Sequence, residues 1–110
     1  MDSYTIIMTP DANDDLTALQ RYITDVLCAP GTALACVRAV RGKIAGLSEM
    51  PARYRTVDEE PWHSRAVRRI LVRNYYVYYR IDESAKKVYI LNVIYARRDQ
   101  LRALNDQSAE

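Results

Sequence analysis

The sequence predicts an α+β layer, a helix hairpin packed on one face of a mainly antiparallel sheet, in the order β-α-α-β-β-β with a short C-terminal helix. Three observations carry this. Leu16, Leu19, Ile23, Val26 and Leu27, and then Leu34, Val37, Val40, Ile44 and Leu47, recur at three- and four-residue spacing on either side of Pro30-Gly31. Beyond residue 66 the helical period gives way to alternation, in three runs rich in tyrosine, valine and isoleucine. The chain has 110 residues, 49% of them hydrophobic and 27% charged, which suits one folded domain (1–110) around one core.

The elements follow in order. Tyr4 to Met8 is a short β-prone run. Thr9 can cap a helix, Pro10 fits its first position, and Asp11 suits the positive end of its dipole. Ala29-Pro30-Gly31 breaks that helix, Thr32 can cap a second, and Pro51 closes it. Residues 51–64 read as a loop that holds the acidic run Asp58-Glu59-Glu60 and the sole tryptophan and histidine, Trp62 and His63. Val67 to Arg73, Tyr75 to Ile81 and Val88 to Tyr95 then read as strands, with Arg73-Asn74 and 82–87 as their connections. Strict alternation puts Ile70, Val72, Tyr75, Val77, Tyr79, Val88, Ile90, Asn92 and Ile94 in one set of faces and Leu71, Tyr89, Leu91, Val93 and Tyr95 in the other. The sheet face away from the helices is expected to present Tyr76, Tyr78, Arg80, Arg69 and Arg73 to a groove. Leu101 and Leu104 mark the short terminal helix, and 105–110 a frayed tail.

Several classes are excluded by composition. A bilayer helix needs ~20 apolar residues, and none of the apolar runs approaches that. The N-terminus lacks the charged, apolar and small-residue segments of a signal peptide, so the expected compartment is the cytoplasm. Cys28 and Cys36 have neither zinc nor redox spacing and read as two small buried side chains. With three glycines there is no phosphate loop, and no metal or cofactor is expected.

Charge is where the chain stops being ordinary. Residues 1–63 hold six bases and nine acids, whereas residues 64–102 hold ten bases and three acids. Arginine supplies thirteen of the sixteen bases, and its planar fork suits phosphate and carboxylate. Nine tyrosines accompany them and no phenylalanine. Arginine interleaved with tyrosine can hold phosphates and stack bases, or stabilise charge in a phosphoryl transition state. The same pattern also fits a solvated sheet face or an acidic protein partner.

Three stretches resemble the RelE/ParE superfamily of bacterial type II toxin–antitoxin toxins. The start Tyr4-Thr-Ile-Ile-Met-Thr-Pro-Asp-Ala12, with Asp15-Leu16 and Tyr22-Ile23, is similar to the first strand and helix. Arg68 to Asp82 (RRILVRNYYVYYRID) resembles the strand motif N-Y-x-V-x-Y-x-I-D, and Val88 to Asp99 (VYILNVIYARRD) the closing strand with its R-R-D end. The resemblance implies a growth-inhibiting toxin held inactive by a cognate antitoxin, with operator DNA bound only through the antitoxin. Its members either cut mRNA on the ribosome, without metal, or poison DNA gyrase. For a nuclease it implies Arg98, Arg73 and Arg69 as catalytic cations; the residues themselves add Tyr76 as a catalytic group that stacks or relays a proton, and Arg68, Arg80, Tyr78 and Arg97 as RNA contacts. Two positions depart from the nuclease pattern. Tyr76 stands where a strand arginine is expected, and no tyrosine, histidine or lysine follows Arg98. Gyrase binding, or a toxin that retains only antitoxin binding, are the alternatives.

Overall fold

Thr9 has extended backbone, and its hydroxyl accepts the Ala12 N–H at 3.2 Å, so the helix starts where a cap followed by Pro10 allows it. The computed structural model describes residues 3–96. Within them run β1 (Thr5–Met8), α1 (Pro10–Arg21), α2 (Pro30–Gly46), β2 (Arg68–Val72), β3 (Tyr75–Asp82) and β4 (Lys87–Tyr95). The sheet order is β1-β4-β3-β2, with β1 parallel to β4 and the other two pairs antiparallel. The short C-terminal helix expected around Leu101 and Leu104 lies outside the described residues.

The two helices cover one sheet face. Ala12, Leu16, Leu19 and Ile23 from the first and Ala33, Val37, Val40 and Ile44 from the second meet Ile70, Val72, Val77, Tyr79, Val88 and Ile90. The apolar stripe of α1 ends earlier than its spacing suggests. A single π turn, Tyr22–Val26, follows it, with Leu27 N–H bonded to the Tyr22 carbonyl five residues back. That widened turn breaks the 3.6 period, leaving Val26 and Leu27 more than half exposed. Two further expectations need correction. The second helix starts at Pro30 without a side-chain cap, so Thr32 lies inside it. Cys36 is buried as expected, but Cys28 is exposed, at φ 54° in the link between the helices.

Strict alternation also fails in β4. Tyr78 pairs with Asn92 and Tyr79 with Ile90, so Leu91 is an extra residue, a β-bulge. Beyond it the faces exchange. Val93 joins the helix-side core, while Leu91 and Ile94 both pack on the opposite face. Thr9 holds this point: its N–H and hydroxyl both donate to the Ile90 carbonyl, at 3.2 and 2.7 Å, and the hydroxyl also lies 3.2 Å from the Leu91 carbonyl.

Tyr79 anchors the far end of the core. It is fully buried, and its hydroxyl donates to the Pro51 carbonyl at 2.7 Å. Arg68, its partner across the strands, donates to the carbonyls of Ala52 and Tyr54. Together they fasten the 3₁₀ turn Pro51–Arg53 to the sheet.

Burial pushes the Tyr79 phenol up to about 12 from 10.0. Its proton is therefore held more tightly in the folded chain than in the unfolded one. The stabilisation is complete below pH 10 and is lost as pH rises toward 12, by on the order of 2–3 kcal/mol. Tyr79→Phe is expected to lower stability at pH 8 by about 1–2 kcal/mol, because the buried Pro51 carbonyl loses its donor, and to flatten the decline between pH 10 and 12. Urea unfolding of both proteins across that range checks both outcomes. Thr9→Val is expected to cost about 1–2 kcal/mol through the lost cap, whereas the same change at exposed Thr17 costs less than half that.

Candidate protein-contact face

The sheet face away from the helices is built by β2, β3, β4 and the segment 56–67 that folds over it. Thr56 bridges Arg68, and Val57 N–H bonds to the Val67 carbonyl at 2.8 Å, closing that segment at its base. Val57 and Val67 then bury Tyr78, with Tyr76, Leu91 and Ile94 at the edges of this smaller core. His63 Nδ1 lies 3.1 Å from the Val57 carbonyl, which can only accept, so that nitrogen carries the proton. Trp62 lies over Tyr78 with ring centroids 6.5 Å apart.

Arg69 is the cation at the centre. Its guanidinium sits 4.2 Å from the centroid of Tyr76, and Nη1 is 3.5 Å from the Tyr78 hydroxyl. Burial alone draws its pKa down, but Tyr78, Tyr76 and Glu59 outweigh that, and the net shift is upward. Arg69 is thus a positive charge held over the Tyr76 ring and beside the Tyr78 hydroxyl. Leu71 lies beside Tyr76 across the strands and is 55% exposed, and Trp62 is 41% exposed. At the other end of the same face Arg80 stacks on Tyr89 at 4.4 Å.

The residues named from sequence divide into three groups. Arg69, Tyr76, Tyr78 and Arg80 share this face, as the alternation requires. Tyr78, however, lies beneath the 56–67 segment, only 7% exposed, rather than open in a groove. Arg68 and Arg73 are elsewhere. Arg68 is bonded to the 51–54 turn at the helix-side end of the sheet. Arg73 is not on the strand face but in the two-residue turn between β2 and β3, at φ 54°. Its charge partly opposes the upward push of burial on the Cys36 thiol of α2. Arg97 and Arg98 lie outside the described residues. Three contributors went unrecognised in the sequence. Trp62 and Val57 read as loop residues because nothing local shows that their loop folds back on the sheet. Glu59 looked like part of a solvated acidic run, although its charge acts on Arg69.

Two kinds of comparison bear on this architecture. A family model described as the ParE toxin of the type II toxin–antitoxin system parDE matches residues 6–100. The chain belongs to the ParE toxin family. Its fold is shared with the chromosomal ParDE system of Pseudomonas aeruginosa, at TM-score 0.70 and 20% identity over 86% of this chain and 98% of that one. The toxin–antitoxin complex RelBE2 of Mycobacterium tuberculosis is similar at TM-score 0.61 and 28% identity, over 86% and 93%. A double mutant of the Escherichia coli toxin RelE in the free state gives 0.63 and 13%, over 92% of each chain. No curated sequence matches the chain. The ParE toxin therefore has the expected RelE/ParE architecture, two helices on a four-stranded mixed sheet, and is a toxin of a type II module. Among the described residues no helix is long and apolar enough to cross a membrane.

Trp62 is the sole tryptophan, so its emission reports on this face. Tyr78→Ala is expected to shift that emission to longer wavelength by removing the ring beneath it, and Tyr89→Ala to leave it unchanged.

Proposed function

We propose that this toxin inhibits growth by binding DNA gyrase and trapping its cleaved DNA complex, and that a cognate antitoxin holds it inactive. The observation that carries this reading is the dispersal of those nuclease candidates that fall within the described residues. Arg69 and Tyr76 are stacked on each other, Tyr78 is covered, and Arg73 sits in the turn between β2 and β3. An RNA-cleaving site needs phosphate-binding cations and a proton donor and acceptor converging on one reacting atom. Among the described residues the face offers two arginines, each stacked on a tyrosine ring and at opposite ends of the face, and a covered phenol at Tyr78. What it presents instead is Trp62, Arg69, Leu71 and Tyr76 side by side. Tryptophan, tyrosine and an arginine preset on an aromatic ring are the chemistry of a protein-binding hot spot. The ParE description of the matching family model supports the same reading.

Ribosome-dependent mRNA cleavage, with Arg98, Arg73 and Arg69 on phosphate and Tyr76 relaying a proton, is the competing outcome. Purified toxin is incubated with gyrase, ATP and supercoiled plasmid, and the products are treated with detergent and protease. In parallel it is added to a cell-free translation reaction whose message ends are mapped. The expected result is linear plasmid with intact message. Codon-phased cuts that require ribosomes, with plasmid unaffected, overturn the gyrase reading. Arg69→Ala and Trp62→Ala are each expected to reduce trapped complex by about tenfold or more, with circular dichroism unchanged.

A further inference from the structure

A second surface lies on the opposite edge of the molecule. β1 pairs with β4 only as far as Met8 and Ile90, so among the described residues no strand lies beside β4 from Leu91 to Tyr95. Backbone groups of alternate residues point to alternate edges of a strand. Ala96 N–H bonds to Asn74 on the β3 side, whereas Val93 N–H points outward and donates to Asp15 Oδ2 at 2.9 Å. Val93 and Tyr95 are therefore the outward-facing residues, and Asp15 occupies the first of their donors. Asn92 Nδ2 donates to the same carboxylate oxygen at 3.2 Å.

Beside this edge is a cavity of about 670 Å³, lined by Asp15, Leu19, Tyr22, Leu27, Tyr75 and Tyr95. That is ample for a large side chain. Tyr75 and Tyr95 meet edge-on at 5.4 Å and form one wall. The π turn forms another, turning Tyr22 and Leu27 outward, each at least half exposed. The stretch from Pro10 to Val26 carries Asp11, Asp14, Asp15 and Asp25 against Arg21 alone. The surface thus combines, among the described residues, a strand edge with no neighbouring strand, an apolar recess and one carboxylate, Asp15, at its margin.

We propose that this edge and recess bind an extended, basic segment of a partner protein. Its main chain pairs with the Val93 carbonyl and with the backbone groups of Tyr95, one apolar side chain enters the recess, and a lysine or arginine meets Asp15. Main-chain pairing supplies affinity, and the recess and carboxylate supply selectivity. The surface is independent of the gyrase reading, because none of its residues belongs to the Arg69 face.

The probe is a peptide, acetyl-Lys-Val-Leu-Val-Lys-amide, titrated into isotope-labelled full-length toxin with amide shifts followed by NMR. Saturable shifts at Tyr22 and from Val93 to Tyr95 are expected. Asp15→Asn keeps the acceptor for Val93 but removes the charge, and is expected to weaken binding about tenfold while leaving circular dichroism unchanged. The same peptide with glutamate in place of lysine is expected not to bind. Shifts confined to the Arg69 face, equal binding of the two peptides, or undiminished binding to Asp15→Asn overturn the proposal. So does a Tyr95 amide already as protected from exchange in the free toxin as the amides of β3, because the edge is then filled by the chain itself.

Discussion

One extra residue in β4 organises both faces of the sheet. Without the bulge at Leu91, Val93 would lie on the outer face and Leu91 and Ile94 on opposite faces. With it, Val93 completes the core under the helices while Leu91 and Ile94 pack beside Tyr78 on the other side. The bulge is fixed from the neighbouring strand end, where Thr9 caps α1 and bonds the carbonyl just before Leu91. A single threonine thereby sets the start of a helix, the end of parallel pairing and the parity of the longest strand. The 56–67 segment can close over the sheet because this parity gives the outer face apolar side chains to cover.

Much of this was legible in the sequence, and the failures have identifiable causes. Helix and strand periods, and the break at Pro30, are local properties, so the element order and layer arrangement followed from them. Arg69, Tyr76 and Arg80 fell on the outer face because β2 and β3 pair in simple register. β4 did not, because a bulge in a run apolar on both faces leaves no mark on hydropathy. The π turn escaped for the same reason: Val26 and Leu27 continue the apolar spacing although the widened turn rotates them outward. Arg68 and Arg73 were misleading because arginine beside arginine looks like one patch. A strand sends Arg68 and Arg69 to opposite faces, and the turn takes Arg73 off the strand altogether.

The charge imbalance along the chain becomes a spatial one. The acidic N-terminal half supplies α1, whose Asp15 holds the open edge of β4, and the basic half supplies the strands around Arg69, over which Glu59 returns from the acidic half. Within that face arginine acts less as a free cation than as a flat aromatic partner, at Tyr76 and again at Tyr89. Stacking restricts the side chain before any partner arrives, which lowers the entropy lost on binding. An arginine held in this way suits a protein surface better than a site where cations must close around a reacting phosphate.

The central claim is that the face around Arg69 is where this toxin meets a protein target. Hydrogen–deuterium exchange on the toxin, alone and bound to gyrase, tests it most directly. Slowed exchange is expected in peptides covering 57–67 and 68–76, with the helices unchanged. Exchange unaltered across those peptides in the presence of saturating gyrase, or protection confined to the helix layer, would contradict it.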